Sequence, residues 1–574
     1  MGCNNFKQYN NTRAVRQNRA RHEHRARFPA ADSPPCPTLN CIMRNAIAIP
    51  TLMVCLCGLG LDGQPAPAPA RSHAARQSSP SEARAARAYE AARHAGPLAL
   101  HAFLQEFPKG ADLHVHLSGA VYAETFIRDA GEDGVCVDPV GLRFAQPPCN
   151  GSLVPAKDLS GQLTSANQDL YDRLVNSFSM RSFVPTPGFS GHDQFFATFA
   201  KFGGLNKSHT GEWVDEVASR AADQNEQYLE LMQTPPFGHA AQIANEIGWP
   251  EEEPVDFARM RQALLDKGLR DEVAADMENV KAAEASRKQI EHCGTAEATP
   301  ACGVEVRYIY QILRALPAPV VFAQTLLGFE TIEKSIDTGA DGFVGINFVQ
   351  PEDGYVSMHN YTLEMKMVGY LHSVYPKVHI SLHAGELAPG MVPPEGLRFH
   401  VRQAVELGHA ERIGHGVDVM YERDPHKLLK EMADRHVMVE INLSSNEGIL
   451  GISGSRHPFP EYLRAHVPVA LSTDDEGVSR IDLTNEYVRA ALDYHLTYAQ
   501  LKTLARTAME HDFLPGESLW ATQDDFRAVR TVCRGEALGT WIVSHECKSF
   551  MFNSEKAAAQ WELERRFRDF ESTF

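Results

Sequence analysis

The chain has 574 residues, of which 43% are hydrophobic, so it can bury a large core. Its formal net charge at pH 7 is −18, and an acidic surface of this kind argues against nucleic acid as a partner. The sequence contains no glycine-rich phosphate-binding motif, which counts against a nucleoside triphosphate as the substrate.

The N-terminal part of the chain differs in composition from the rest. Residues 1–42 are rich in arginine and lack hydrophobic periodicity, and we interpret them as a disordered extension upstream of a true start at Met43. Residues 43–70 combine a basic start, an apolar run and a group of small residues, which is typical of a secretory signal peptide. The alternative is an arginine-rich disordered arm with a weak membrane anchor.

The composition of residues 1–70 predicts where the protein is located and where its folded domain begins. We expect a periplasmic or secreted protein with no stable membrane insertion after processing, or a cytoplasmic one if the leader is not functional. Residues 71–100, rich in Ala, Pro, Ser and Arg, are predicted to be a flexible linker, and residues 101–574 to be the folded domain.

The cysteines support export. Five of the 11 cysteines lie in residues 1–70, and the other six form three local pairs: Cys136/Cys149, Cys293/Cys302 and Cys533/Cys547. Even numbers at short spacing predict disulfides formed in an oxidising compartment. Zinc knuckles are the alternative, but the C-x-x-C spacing that they use is absent from the sequence.

Short apolar runs with strand character recur along the folded part of the chain. Helical stretches such as Met391–Leu407 and Asp424–Arg435 separate the later runs. Strands that alternate with helices predict a parallel sheet, and eight of them predict an α/β fold of the (β/α)8 TIM-barrel type. The eight predicted strands are Ala111–Leu117, Gln227–Gln233, Val304–Leu313, Gly342–Val349, Val378–Leu382, Ile413–Val417, Val437–Leu443 and Pro468–Leu471.

Long insertions are expected after the first two strands, at about Ala120–Asn225 and Thr234–Gly303. Such segments lie over the C-terminal face of a barrel, where they form lids or substrate walls. The segment Asp193–Leu205 carries four phenylalanines at near-helical spacing, which predicts either a lid or an ordinary helix packed on the barrel. Ile481–Asp512 is predicted to be a C-terminal helical tail.

Three motifs lie at the ends of predicted strands. His114 and His116 are two apart on the first strand, so their side chains point to the same face and can reach one ion. His383 begins the motif His-Ala-Gly-Glu, which ends at Glu386, and Asp474 lies in Ser-Thr-Asp-Asp. Histidines and a carboxylate make a zinc shell, and Glu386 can move protons beside it. Each motif alone also has a structural explanation, such as helix capping by the aspartates.

The motifs DLHVHLSGA, HAGE, RIGHG and STDDEG, in this order, resemble the adenosine deaminase family of metal-dependent amidohydrolases. The resemblance extends from about Pro108 to Leu514. It implies that one zinc ion per chain is bound by four ligands: His114, His116, His383 and Asp474. It also implies roles in catalysis for Glu386 and His415 and in substrate binding for Asp475, and the side chain of His116 also borders the substrate.

The implied reaction is the hydrolytic deamination of adenosine, and of 2′-deoxyadenosine, to inosine and ammonia. Glu386 would donate a proton to purine N1, which requires burial to raise the pKa of its carboxyl group. His415 would orient or deprotonate the attacking water, and Asp475 would hydrogen-bond to the imidazole edge of the purine. The expected partner is a small-molecule purine nucleoside, and the oligomeric state is unknown.

Two departures from the family pattern affect substrate recognition. Ser118 stands where many members have an aspartate that contacts the ribose, and the segment 347–353 replaces an acidic Gly-Asp-Glu stretch. Ser118 and Gly385 are therefore candidate substrate contacts, although Gly385 also permits close backbone approach near the metal. Adenine and AMP are alternative substrates. A catalytically silent nucleoside-binding or signalling protein is the alternative from another functional class.

Overall fold

Eight parallel strands form the centre of the fold in the computed structural model. The structure describes residues 79–574 except 162, 163, 166, 206, 251–253, 340 and 341. The predictions for residues 1–42 and 43–70, and for most of 71–79, lie outside the described residues. In chain order the strands, β1 to β8, are Gly110–His116, Glu226–Gln233, Glu305–Leu313, Phe343–Val349, His379–Ala384, Arg412–His415, Met438–Ile441 and Val469–Leu471.

Each strand pairs with the next one in the sequence, and every pair is parallel. Backbone hydrogen bonds join the two edges of the sheet. Asp474 N–H donates to the carbonyl of His114 (2.8 Å), and His116 N–H donates to the carbonyl of Asp474 (3.0 Å). The sheet is therefore closed into a barrel, which confirms the predicted fold class and all eight predicted strands.

Helices cover the outside of the barrel because each presents an apolar stripe to the sheet. Most of the buried apolar side chains belong to one continuous core between strands and helices. The helices of six residues or more are Pro80–Ala95, Pro97–Gln105, Ala123–Glu132, Gln168–Ser177, Gly191–Phe202, Thr210–Asp223, Gly238–Ile247, Phe257–Asp266, Val273–Ile290, Ala318–Thr338, Tyr355–Val374, His400–Glu406, Pro425–Asp434, Leu443–Leu450, Phe459–Arg464, Leu483–Asp493, Tyr498–Glu510, His545–Phe552 and Glu555–Ser572.

The linker prediction is wrong for residues 80–100. Two helices, Pro80–Ala95 and Pro97–Gln105, occupy this segment, and Ser79 caps the first by accepting from Glu82 N–H. Tyr89 is fully buried in the main core, and its hydroxyl donates to the carbonyl of Leu496 (2.6 Å). An alanine-rich composition favours helix as well as flexibility, and the C-terminal helix Glu555–Ser572 supplies a surface for these helices to pack on.

The helix predicted at Met391–Leu407 is much shorter, at His400–Glu406, preceded by a single turn at Gly396–Arg398. Pro393 and Pro394 interrupt it because proline has no N–H to donate within a helix. The predicted tail is two helices, Leu483–Asp493 and Tyr498–Glu510.

The insertion after β1 forms a subdomain with its own small core. It contains a three-stranded antiparallel sheet (Cys136–Asp138, Arg143–Ala145, Val154–Pro155) and the helix Gly191–Phe202, called here the aromatic helix. A capping box at Ser190 and Asp193 begins this helix. Phe202 stacks on Phe126 at 4.6 Å between ring centroids, so the helix is anchored in the subdomain.

All three predicted cysteine pairs are disulfides: Cys136–Cys149, Cys293–Cys302 and Cys533–Cys547. Each bridge closes a short loop outside the barrel strands. None of the described helices has the length and hydrophobicity needed to cross a bilayer.

We predict that protein isolated from its native compartment has all six of these cysteines oxidised, because such bridges persist only where thiols are not kept reduced. Peptide mapping without reduction, compared with a reduced and alkylated sample, should recover the three local pairs. Free thiols at Cys136, Cys293 and Cys533 would contradict export to an oxidising compartment.

Candidate active site

The ends of β1, β5, β6 and β8 bring the predicted site residues together inside the C-terminal mouth of the barrel. Nε2 of His116 lies 3.2 Å from Nε2 of His383 and 3.2 Å from a carboxylate oxygen of Asp474. One side-chain atom from each of His114, His383, His415 and Asp474 lies within 4.8 Å of the others. All of these side chains are buried.

This cluster fits a divalent cation. Nε2 of His114 is a buried atom without a hydrogen-bond partner in the protein. Burial alone lowers the pKa of His114, but Asp474 and Glu440 outweigh that effect and raise it to about 10. The carboxylates therefore favour a positive charge at this position, and a metal cation supplies one.

Hydrogen-bond acceptors beside Nδ1 of His114 and of His383 determine which ring nitrogen carries the proton. Nδ1 of His114 lies 2.6 Å from a carboxylate oxygen of Glu440. Nδ1 of His383 lies 2.8 Å from Oδ1 of Asn347, which also accepts from the His383 backbone N–H and must therefore be the oxygen. In the neutral form of each ring Nδ1 carries the proton, so Nε2 presents a lone pair to the cluster.

His116 has an amide partner. Nε2 of Gln311 lies 2.5 Å from Nδ1 of His116, and its Oε1 accepts from the Thr234 hydroxyl (2.9 Å). A His116 that binds a cation through Nε2 needs its proton on Nδ1. Cation binding by His116 therefore requires the Gln311 amide to turn its oxygen toward the ring, and Thr234 can accept as well as donate.

Asp474 adopts a left-handed backbone conformation, with φ 65°. Burial raises the pKa of its carboxyl group, but the neighbouring imidazoles of His114 and His116 hold the pKa well below the usual range. The Ser445 hydroxyl donates to its second oxygen (2.5 Å). Asp474 is therefore ionised and oriented, as a metal ligand has to be.

Gly414 is required by the geometry of His114. A β-carbon at Gly414 would lie 2.6 Å from the His114 ring, which real structures do not tolerate. Gly414 is paired with Glu440 between β6 and β7. Because Gly414 has no side chain, it leaves room for the His114 ring beside the strand.

A cavity of about 400 Å³ opens beside the cluster. It is lined by His116, His383, Asp474, the predicted proton donor Glu386, Asp475 and Ser118. Phe195, Phe196, Phe199 and Ala200 of the aromatic helix form the opposite wall. His192 at the start of this helix pairs with Asp353 of the segment after β4 (3.0 Å). The helix is thus both packed in its subdomain and a wall of the cavity.

Glu386 and Asp475 are buried carboxyl groups. Burial, with a further contribution from Asp474, raises the pKa of Glu386 well above its usual range. The same two causes raise the pKa of Asp475, and its Oδ1 has no partner in the protein. Both groups are therefore able to donate hydrogen bonds or protons to a molecule in the cavity.

The N–H of Gly385, a predicted substrate contact, is engaged within the protein, and Gly385 is not among the described residues that line the cavity. Its N–H donates to Glu352 (2.9 Å), and the neighbouring Glu386 N–H donates to the other oxygen of Glu352 (2.8 Å). Gly385 has φ +76°, and a β-carbon there would lie 2.4 Å from Asp418. Its role is to permit the sharp turn that presents Glu386.

Several residues of the site were missed from the sequence: Gln311, Asn347, Glu352, Glu440 and Asn446. Glu352 is held by His400, and although burial raises the pKa of Glu352, that partner lowers it to about 2. The available signal was a polar residue inside an apolar strand, as with Asn347 and Glu440. Their partners come from other strands, which the sequence does not reveal.

Comparison with known proteins shows which family part of the chain resembles. The model of the adenosine deaminase family matches residues 279–526. Over this region the chain is similar to the adenosine deaminase family.

Among curated relatives, an adenosine deaminase of Clostridium perfringens is 28% identical over 192 residues, covering 33% of this chain and 52% of that protein. An adenosine deaminase of Yersinia pseudotuberculosis is 33% identical over 148 residues, covering 26% and 41%. The chain thus spans about half the length of the curated relatives it matches. A solved adenine deaminase of Arthrobacter aurescens is 16% identical over 71% of this chain and 94% of that chain, with a TM-score of 0.46.

We predict that Glu440→Gln weakens binding of a divalent metal by about 10- to 100-fold, because the neutral amide aligns and polarises His114 less well. Titration of metal-depleted protein with the metal and a competing chelator measures the change. Glu571→Gln is the matched control, since Glu571 is also buried and ion-paired, to Lys502 (2.6 Å), but lies far from the site. Equal affinities for wild type and Glu440→Gln would show that Glu440 does not support the metal site.

Proposed function

We propose that this chain is a zinc-dependent hydrolase that deaminates adenosine and 2′-deoxyadenosine to inosine and ammonia. The single observation that carries the proposal is the buried Glu386 carboxyl on the wall of the cavity that also exposes the histidine–aspartate cluster. The similarity of the chain to the adenosine deaminase family and the named activities of its curated relatives support it.

We assign the metal ligands as His114, His116, His383 and Asp474, with one zinc ion per chain. Three neutral imidazoles and one carboxylate suit zinc. A zinc ion bound here lowers the pKa of water toward neutrality, which makes a nucleophile available. The acceptors behind His114 and His383 keep their Nε2 atoms free for this role.

Glu386 is the proposed proton donor to purine N1. Its raised pKa keeps the carboxyl protonated near neutral pH. Protonation at N1 makes C6 more electrophilic, so water adds there and ammonia can leave. Asp475 would donate to the imidazole edge of the purine, and Ser118 is the proposed contact for the sugar.

The cavity favours an uncharged nucleoside or base over a nucleotide. None of the described residues that line it is a lysine or arginine, whereas Glu386, Asp474 and Asp475 are acidic. A 5′-phosphate would find no opposite charge among these side chains. The aromatic helix provides phenylalanine faces suited to a purine ring. A volume of about 400 Å³ is in the range of small-molecule sites.

We place this activity outside the cytoplasm, in the periplasm or secreted. The three disulfides support this location, since such bridges are rare in cytosolic proteins.

The test is ammonia release from adenosine, 2′-deoxyadenosine, adenine and AMP measured side by side. We predict the highest kcat/KM for the nucleosides. Glu386→Gln should retain the metal and lose about 10²- to 10⁴-fold in kcat/KM, because the amide cannot donate the N1 proton. Asp475→Asn should also retain the metal, with a smaller loss.

Glu364→Gln is the matched control. Glu364 is also buried, and burial raises the pKa of its carboxyl group to about 8, but it does not line the cavity. Retention of more than about a tenth of the wild-type kcat/KM in Glu386→Gln would reject the proton-donor assignment. Purine binding without any ammonia release in the wild type would favour a silent binding protein.

A further inference from the structure

A chain of three hydrogen bonds behind His415 determines which of its ring nitrogens carries the proton. We infer that Asn446 and His457 are positioning residues that hold His415 as the Nε2–H tautomer. In this form His415 donates a hydrogen bond into the site and is neither a metal ligand nor the base that deprotonates water. The role of His415 in catalysis rests on the proposed function, whereas the position of its proton follows from the hydrogen bonds in the structure alone.

The series of hydrogen bonds starts at a backbone N–H, which can only donate. Phe459, the first residue of the helix Phe459–Arg464, directs its N–H to Nδ1 of His457 (3.1 Å). A backbone N–H can only donate, so Nδ1 of His457 carries no proton. His457 is buried, and burial lowers its pKa to about 3, so the ring is neutral. Its proton is therefore on Nε2.

The proton on His457 orients the next side chain. Nε2 of His457 lies 3.0 Å from Oδ1 of Asn446. Because this nitrogen donates, the atom of Asn446 that faces it must be the oxygen, and the amide nitrogen faces the other way. That nitrogen lies 2.9 Å from Nδ1 of His415. An amide nitrogen can only donate, so Nδ1 of His415 is the acceptor.

The proton of a neutral His415 is consequently on Nε2. A second amide nitrogen, from Asn442, also faces Nδ1 (3.3 Å). The Glu386 carboxyl group, at 3.8 Å from Nδ1, is beyond hydrogen-bond distance. Nε2 is buried, has no partner in the protein, and lies 3.9 Å from Asp474. It is therefore directed toward the cluster, where it can donate to the attacking water.

The surroundings of His415 are the reverse of those of His114 and His383. Those two rings have oxygen acceptors at Nδ1, from Glu440 and Asn347, and so offer lone pairs at Nε2. His415 has nitrogen donors at Nδ1 and so offers a proton. Although one ring atom of His415 lies within 4.8 Å of the other candidate ligands, its tautomer excludes coordination through Nε2.

Asn446→Asp tests the inference because it replaces the amide donor that faces His415 by a carboxylate acceptor, with little change in shape. One carboxylate oxygen still accepts from His457, while the other faces Nδ1 of His415 and draws the proton to that atom. Nε2 then presents a lone pair. We expect kcat to fall by about 100-fold or more, with the metal retained. We also expect the visible absorption spectrum of the cobalt(II)-substituted protein to change, because a further nitrogen can join the metal.

Asn347→Asp is the matched control for the spectrum. It is the same substitution beside another histidine, but Asn347 already presents oxygen to the ring, so the tautomer of His383 is preserved. The cobalt(II) spectrum of this variant should resemble that of the wild type. Equal spectral changes in both variants would attribute the effect to added charge and would overturn the inference.

His457 provides an independent pair of variants. His457→Gln can place an amide nitrogen near the position of Nε2 and should retain most of kcat, whereas His457→Phe removes the donor and should lower kcat by about tenfold or more. A wild-type cobalt(II) spectrum together with kcat within about threefold of wild type in both Asn446→Asp and His457→Phe would overturn the inference. If wild-type protein releases no ammonia from any purine, the proposed function fails, while the spectra of Asn446→Asp and Asn347→Asp still decide the tautomer.

Discussion

Buried side chains of opposite charge inside the barrel connect Arg412 to the candidate metal site. Arg412 pairs with Glu230 (2.6 Å) and with Glu440 (2.7 Å), and Glu440 holds His114. These side chains are at most about 1% exposed. Removing one member of such a set leaves an uncompensated buried charge, which typically costs about 3–5 kcal/mol. The barrel therefore depends on the complete set, and the orientation of His114 depends on the same set.

The barrel closure and the site are one structural feature. The backbone hydrogen bonds that join the end of β8 to β1 are made by Asp474 with His114 and His116, the residues whose side chains meet in the cluster. The distance between these side chains is thus set by backbone pairing. A rigid arrangement of this kind suits a metal site, since ligands on strands are held more accurately than ligands on loops.

The sequence was sufficient to predict the features that depend on local periodicity. Alternation along β1 placed His114 and His116 on one face, and short apolar runs located all eight strands. It was insufficient for features that depend on contacts across the fold. The amide of Asn446 is oriented by His457 and acts on His415, which lies 31 residues earlier in the sequence. The helix Pro80–Ala95 is stabilised by packing on the C-terminal helix. The hydrogen bond from the Gly385 N–H to Glu352, which lies 33 residues earlier, is a further contact that the sequence does not reveal.

We propose a division of four neighbouring histidines: His114, His116 and His383 bind the metal, whereas His415, which has amide donors at Nδ1, donates a hydrogen bond. X-ray absorption spectroscopy of the zinc-loaded protein tests it most directly, because scattering from imidazole rings counts the histidines bound to the metal. We expect three imidazoles, with the remaining ligands being oxygen. Four imidazoles, reduced to three by His415→Ala, would contradict it.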